Sequence, residues 1–167
     1  MKEKITTRIK DKTFRDKFII VIDKREKKPF KFPKDIITEK QTILTGDYTI
    51  KGFEDKICIE RKSKQDCYNS LSSGRDRFRL EYERMCSMDR ALVIIESSFS
   101  DFMIAPSYYL KGKEIKSKFS PSSAINTLIS WYLDYNIPFI FSDSHKMSMG
   151  FTLRFLEKAF IKYNNIK

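Results

Sequence analysis

Apolar and polar positions along the chain switch between strand-like and helix-like spacing, and the switches mark the elements. Lys17-Phe18-Ile19-Ile20-Val21-Ile22 is a near-continuous apolar run, the pattern of a strand buried on both faces, and it ends in the charged stretch Asp23-Lys24-Arg25-Glu26. Short strand-like pieces in residues 36–44 lead to Gly46-Asp47, and residues 49–52 close a further short strand. Lys56-Ile57-Cys58-Ile59-Glu60-Arg61-Lys62 reads as the next strand, apolar first and then charged. Residues 65–72 and 78–88 have helical character, broken between them by Gly74-Arg75, and residues 91–96 return as a buried strand. Residues 99–110 are aromatic and ambiguous. Ser120-Pro121 then opens a helix, the serine as cap and the proline in the first turn. Ile125, Leu128, Ile129 and Tyr132 give that helix an apolar stripe, widened by Trp131 and Leu133. A strand over 137–141 and an amphipathic helix over 147–161 finish the pattern, and no internal repeat interrupts it. The fold class this predicts is α/β, a mixed central sheet flanked by helices.

The fourth of these strands carries the chemistry. Side chains alternate faces along a strand, so Glu60 and Lys62 point one way and Arg61 the other. Asp47, near the start of the neighbouring strand, is placed to face Glu60 across the hairpin. Two such carboxylates hold Mg²⁺ or Mn²⁺ through oxygen and leave room for waters and a phosphate oxygen. Lys62 then stands where it orients or helps to deprotonate an attacking water, which is the layout of a nuclease site. Asp23, ending a buried strand, is placed to join the site at the sheet edge. Asp66 stands near a helix start, where a carboxylate is favourable. The competing reading of each piece is plain: Gly-Asp as a turn, Glu-Arg-Lys as an exposed charged triplet.

Charge adds a polyanion to this picture. Of the net +11, residues 1–34 carry 13 Lys/Arg against 5 Asp/Glu, residues 35–100 carry 11 against 12, and residues 101–167 carry 9 against 5. Positive excess thus flanks a near-neutral block that holds the carboxylates, an arrangement that grips a nucleic acid on either side of a metal centre. Two basic loops are candidate contacts. One is Lys27-Lys28-Pro29-Phe30-Lys31-Phe32-Pro33, or else a connector with Phe30 and Phe32 folded onto the core. The other runs over residues 111–118 and contains Lys111, Lys113, Lys116 and Lys118. Residues 1–16 are polar and basic, either a mobile arm or a frayed helix.

Several classes drop out. No apolar stretch of about 18 residues exists, and Met1-Lys2-Glu3-Lys4 leads into charge, so a soluble, unexported, intracellular protein without membrane contact is expected. The basic start lacks the apolar face of a membrane-surface helix. Cys58, Cys67 and Cys86 are odd in number and lack metal spacing, which predicts reduced thiols in or near the core. Zinc is not expected, because His145 is the single histidine and reads as part of a helix start. At 167 residues the chain accommodates one ordinary domain, over residues 17–167, after the basic arm.

Taken together, the motifs resemble the nuclease domain of the XPF-type structure-specific endonucleases, a branch of the restriction-endonuclease-like (PD-(D/E)XK) superfamily. That family pattern is Asp-x-Arg-Glu, Gly-Asp-Tyr, Glu-Arg-Lys-x-x-x-Asp, Gly-Arg and a strand ending in Glu. The chain supplies Asp23-Lys24-Arg25-Glu26, Gly46-Asp47-Tyr48, Glu60-Arg61-Lys62-Ser63-Lys64-Gln65-Asp66, Gly74-Arg75 and Ile94-Ile95-Glu96, a match over roughly residues 18 to 142 with no catalytic position substituted. The resemblance implies that Asp47 and Glu60 bind the metal with the main-chain carbonyl of Arg61, and that Lys62 acts on the water. Asp23 is implied as a further acidic member, either behind the ligands or on a second ion. Arg25, Arg61 and Arg75 either hold phosphates or brace the sheet, and Glu26 and Asp66 are expected in the bracing network. The implied substrate is branched DNA, such as a flap, fork or junction in repair or recombination, and late helices of this family also serve in homodimers. Larger members carry a tandem helix-hairpin-helix module, for which the 25 or so residues after the match leave no room. Branch reading is then expected from the nuclease surface, a dimer or another protein. A non-catalytic DNA-binding subunit and an RNA nuclease are the competing functions.

Overall fold

The computed structural model describes Ile9, residues 12–110 and residues 112–165, so most of the expected basic arm lies outside the described residues. A short helix α1 (Lys12–Lys17) turns directly into β1 (Ile19–Asp23), so the first strand begins two residues later than its apolar run suggests, and Lys17 belongs to the helix. There follow β2 (Ile37–Gln41), β3 (Tyr48–Ile50), β4 (Ile57–Ser63), α2 (Lys64–Leu71), α3 (Arg75–Met85), β5 (Arg90–Glu96), α4 (Phe99–Phe102), β6 (Ser107–Leu110), β7 (Lys113–Lys116), α5 (Pro121–Tyr135), β8 (Phe139–Phe141) and α6 (His145–Tyr163). Six strands form one mixed sheet in the order β2-β1-β3-β4-β5-β8. β3 is antiparallel to both β1 and β4, while β2, β5 and β8 each run parallel to the neighbour they pair with. The expected mixed sheet flanked by helices is the observed architecture.

Serine punctuates the helices. Ser63, Ser98, Ser120 and Ser144 precede α2, α4, α5 and α6, and each hydroxyl accepts the backbone N–H three residues on. Asn136 ends α5 in the left-handed conformation, φ 53°.

Strand alternation then sorts the core into two layers. Ile20, Ile22, Tyr48, Ile50, Ile57, Ile59, Leu92 and Ile94 pack with α6 through Met149, Leu153, Leu156 and Phe160. Cys58, Val93 and Ile95 face the other way, against α2, α3 and α5. Glu60 and Lys62 continue the Cys58 face and Arg61 the Ile59 face, as the two-residue period requires.

Four expectations change. The ambiguous stretch 99–110 splits into α4 and β6. The second basic loop is not a loop, because β7 pairs antiparallel with β6 and makes a two-stranded ribbon; Lys111 lies outside the described residues. Helix α3 starts at Arg75, before its first apolar anchor, because Gly74 lets the chain turn close against Asn69. The stripe on α5 is also different: Ala124, Leu128 and Trp131 are buried, whereas Ile129, Tyr132 and Leu133 face outward. Apolar residues occupy more than half the circumference of that helix, so spacing alone left two candidate inner faces. Trp131 decides between them, because only its line brings a large ring against Phe78, Tyr82 and Tyr135. Of the cysteines, Cys58 and Cys67 are buried and Cys86 is exposed, all three free.

Trp131→Ala removes the ring that locks α5 onto α3. It is expected to lower unfolding stability by about 3–5 kcal/mol, read as a lower urea midpoint; a change under about 1 kcal/mol would mean that α5 is not part of the core layer.

Candidate active site

Strand register brings three acidic residues into one line. Ile22 pairs with Tyr48, and Tyr48 with Ile59, both antiparallel. One residue further on, Asp23 lies opposite Asp47, and Asp47 opposite Glu60. Asp23 N–H donates to the Asp47 carbonyl at 2.9 Å, in register, whereas Asp47 N–H donates to the Ile59 carbonyl at 2.8 Å, one residue short of Glu60, so the β3–β4 ladder is offset by one at its end. Residues directly opposite share a face, so these carboxylates project together toward α2 and α3. Gly46 permits the approach. Its φ is +77°, and a Cβ there would lie 3.0 Å from both Cys58 Cβ and the Ile59 carbonyl oxygen.

Asp47 and Glu60 are the tense pair. Asp47 Oδ2 accepts the Arg61 N–H at 2.8 Å, and Glu60 Oε1 meets Lys62 Nζ at 2.7 Å. Asp47 Oδ1 and Glu60 Oε2 have no hydrogen bond within the described residues. Burial, and after it the charge of Glu60, pushes the Asp47 carboxyl up to about 8 from its ordinary 3.8, with the Arg61 N–H only partly opposing. Burial raises Glu60 as well, with Lys62 pulling the other way. Burial disfavours a charged Lys62, but Glu60 beside it outweighs that, so the lysine is raised and stays an ammonium. Its Nζ also lies 4.6 Å from the centre of the Phe78 ring.

Asp23 behaves differently. Its two oxygens accept four donors: Arg25 N at 2.6 Å, Arg25 Nε at 2.8 Å, Arg25 Nη2 at 2.9 Å and Ile43 N at 3.0 Å. Burial would raise its pKa, but these donors hold it below the ordinary value. An ion would have to displace a donor to reach it. Asp23 therefore braces the segment before Asp47, and of the two places expected for it, behind the ligands or on a second ion, these bonds favour the first.

The motif arginines are also braces. Arg61, on the opposite face, gives Nε and Nη2 to Glu26 at 3.0 and 2.9 Å and Nη1 to Glu96 at 2.9 Å, with its side chain 8 % exposed. His145 Nδ1 meets the other Glu96 oxygen at 2.8 Å. Three of the five guanidinium N–H groups are thus engaged by carboxylates, although Arg61, Glu26 and Glu96 also border the cleft, so of the two roles expected of Arg61 the bonds favour the bracing one. Glu26 joins that network as expected. Arg75 points to α5, where Nη1 meets Thr127 Oγ1 at 3.1 Å and the guanidinium lies 5.2 Å from the Trp131 ring centre. Arg75 is not among the residues that line the cleft. Asp66 closes the first turn of α2 through Ser63, a local cap and not a member of the Arg61 network. Arg25 remains exposed beyond its bonds to Asp23 and the Ile43 carbonyl.

A cleft of about 740 Å³ opens over the carboxylate pair, lined also by Lys62, Arg25, Lys27, Lys28 and Asp66. Lys113 and Lys118, in and beside the β6–β7 ribbon, are not part of its wall. Phe30 is buried, stacked on Tyr48 at 4.8 Å, so the first basic loop is anchored to the core by its aromatic residue while Lys27 and Lys28 reach the cleft. Three residues of α3 line it unforeseen: Arg77, Glu81 and Arg84. Glu81 accepts the Gly46 N–H at 3.0 Å and pairs with Arg84. Their spacing of four and three puts them on one helical line flanking Phe78, the signal that would have found them.

Does this donor set suit a metal ion? No three His, Cys, Asp or Glu side chains among the described residues form a closed cage. Two carboxylates with unpartnered oxygens suit Mg²⁺, which keeps several waters and takes one or two carboxylates plus substrate phosphate.

A mixed sheet with this carboxylate row and a lysine two residues beyond Glu60 agrees with the XPF-type domain that the sequence motifs resemble. The chain belongs to the ERCC4 domain family, which it matches over residues 22–155. A Methanocaldococcus jannaschii protein named as an ATP-dependent RNA helicase is 25% identical over 144 residues, which are 86% of this chain and 16% of that protein. The chain thus spans only a small part of that relative. Among solved structures, XPF from Aeropyrum pernix in complex with DNA superposes with a TM-score of 0.62 at 20% identity, covering 87% of this chain and 66% of that one. A second structure of XPF from Aeropyrum pernix gives a TM-score of 0.59 at 19% identity, with 89% and 66% covered. No helix of the described residues is long and apolar enough to cross a membrane.

The raised Asp47 fixes a pH dependence. Its folded pKa lies above the unfolded value, so its contribution to stability is complete below pH 3.8 and is lost as pH rises through about 8. In EDTA, wild-type protein should lose melting temperature between pH 5 and 9, and Asp47→Asn should flatten that slope. Mg²⁺ or Mn²⁺ at pH 8 should raise the melting point of the wild type but not of the variant. Equal slopes in EDTA would show that Asp47 is not held in an unfavourable charged state.

Proposed function

We propose that this domain is a divalent-metal-dependent endonuclease that hydrolyses phosphodiester bonds in DNA, preferentially at branches such as flaps, forks or junctions. The observation that carries the reading is the pair Asp47, half-buried, and Glu60, buried, each raised in pKa by burial and each with one carboxylate oxygen that makes no hydrogen bond among the described residues. Mg²⁺ or Mn²⁺ would be held by those two oxygens and the main-chain carbonyl of Arg61. When bound, the ion polarises a phosphoryl oxygen and activates a water. Lys62, an ammonium pinned by Glu60, orients the water and the phosphoryl oxygen as a donor and not as a base. Arg25, Lys27, Lys28 and Arg77 hold backbone phosphates along the cleft wall. Arg61, Glu26 and Glu96 fix the position of the Arg61 carbonyl from behind the sheet. Burial of the site around Phe78 strengthens each of these charges.

DNA as the polymer is supported by the fold shared with XPF from Aeropyrum pernix, described in complex with DNA. The name of the Methanocaldococcus jannaschii relative supports RNA as a second reading. Residues 17–167 would act as one intracellular nuclease domain behind a basic arm, with repair or recombination as its setting. A homodimer would cover the outward Ile129, Tyr132 and Leu133 of α5.

End-labelled 3′ flap, 5′ flap, Holliday junction, linear duplex and single-stranded DNA, with an RNA flap beside them, should be incubated with Mg²⁺, Mn²⁺ or EDTA. Metal-dependent cutting of branched DNA is expected, and Asp47→Asn and Lys62→Ala should each lower it by about a hundredfold or more while retaining binding. Normal turnover by both variants would overturn the site. Binding without cutting under every metal would make the protein an accessory subunit, and preference for the RNA flap would move the substrate to RNA.

A further inference from the structure

Leu44 is the most exposed large apolar side chain among the described residues, at 81 %. Its neighbours are not exposed: Ile43 is at 4 % and Thr45 at 2 %. Loop mobility does not account for this. On one side, Ile43 gives its N–H to Asp23 Oδ2 at 3.0 Å and receives Arg25 Nη2 on its carbonyl at 2.7 Å. On the other, Gly46 N–H reaches Glu81 Oε1 at 3.0 Å, and Asp47 N–H reaches the Ile59 carbonyl at 2.8 Å. Four hydrogen bonds thus hold a leucine out into solvent three residues before the carboxylate pair. Three of those bonds come from groups that line the cleft.

An apolar tip fixed on a cationic rim fits one occupant best. Arg25 lines the cleft beside it, and Lys24 joins the start of the same loop by donating its N–H to the Gln41 carbonyl. Those charges draw phosphates, whereas the leucine itself has no use for them. A nucleic acid offers an apolar surface only where stacking is interrupted. In a continuous duplex every base pair is covered by its neighbours, but at a transition from duplex to single strand the terminal pair shows one open face. Apolar side chains such as leucine serve elsewhere as wedges between base steps.

We infer that Leu44 is the branch-reading element of this nuclease site: it packs on the open face of the last base pair at a single-strand to double-strand transition. The inference rests on the DNA reading proposed above. Because the same short segment carries Leu44 and Asp47, the wedge fixes the distance from the branch to the cleaved bond. Such a device needs no second domain. It gives one nuclease surface a way to prefer branched over continuous DNA by a contact that continuous DNA cannot make.

The test uses the whole chain in three forms: wild type, Leu44→Ala and Leu44→Phe. A 3′ flap carries 2-aminopurine at the nucleotide next to the branch, and binding is followed with Asp47→Asn added to each form so that nothing is cut. The probe should brighten as it loses its stacked neighbour wherever apolar bulk is kept at the tip. Brightening is therefore expected with the native leucine and with Leu44→Phe, and not with Leu44→Ala. With Asp47 intact, the ratio of flap to single-strand cleavage should fall about tenfold in Leu44→Ala, the size expected for truncating one well-packed contact, and the cut positions should spread. An unchanged melting temperature would show that folding is not the cause. Brightening and ratio both unaffected by Leu44→Ala would overturn the inference while leaving the nuclease reading intact. Failure of the wild type to cut any DNA would overturn the nuclease reading, and the fluorescence would then decide the wedge alone. A shift in sedimentation with Leu44→Ala, without a change in the flap signal, would overturn the wedge and assign the leucine to a protein interface instead.

Discussion

Two carboxylates held opposite each other in a buried cross-strand row repel, and much of this structure is organised to hold them there. Asp47 and Glu60 lose water on entering the sheet edge, and each raises the cost of charging the other. The row exists because β3 runs antiparallel to both neighbours, which places the end of β1, the start of β3 and the charged half of β4 side by side. Gly46 is the steric condition for that contact, since any Cβ would press on Cys58 and the Ile59 carbonyl. The bond that Asp47 N–H donates to the Ile59 carbonyl and the Arg61 N–H that its carboxylate accepts hold Asp47 beside Glu60.

Beneath the row, the other face of the sheet carries an ion-pair network of its own. Arg61 sits one residue from Glu60 and points away from it, so β4 alternates the site with its support. Glu26, Glu96 and His145 enclose the guanidinium from β1's end, β5's end and the first turn of α6. Buried ion pairs of this kind contribute little net stability, because desolvation offsets attraction. Their effect here is positional: three elements distant in sequence are tied to the residue whose carbonyl borders the carboxylate pair.

Most of the fold and the central residues were legible from the chain. Alternation over 56–62 was enough to separate Glu60 and Lys62 from Arg61, because a two-residue period leaves no other choice. Ser120 before Pro121 marked the start of α5 for an equally local reason. What was not legible depends on which surfaces meet. Nothing in the spacing of α5 said that Trp131 and not Ile129 would find the core. Whether Asp23 stands behind the ligands or on a second ion is not legible until its bonds to Ile43 and Arg25 are seen. Glu81, Arg77 and Arg84 come into the cleft only because α3 packs beside Gly46, a contact 35 residues apart in the chain.

The same tertiary contacts redistribute the roles of the basic residues. Arginine, planar and always charged, suits a fixed fork between carboxylates, and Arg25, Arg61 and Arg75 are all held by partners within the fold. The cations that face solvent along the cleft are Lys27 and Lys28, the exposed part of Arg25 and, from α3, Arg77 and Arg84. Positive charge available to a polyanion is carried by the flanking segments and the outer line of α3, around a centre where two carboxylates, Asp47 and Glu60, share one lysine, Lys62. A divalent cation answers that mismatch, and a phosphate drawn in by the rim arrives beside it.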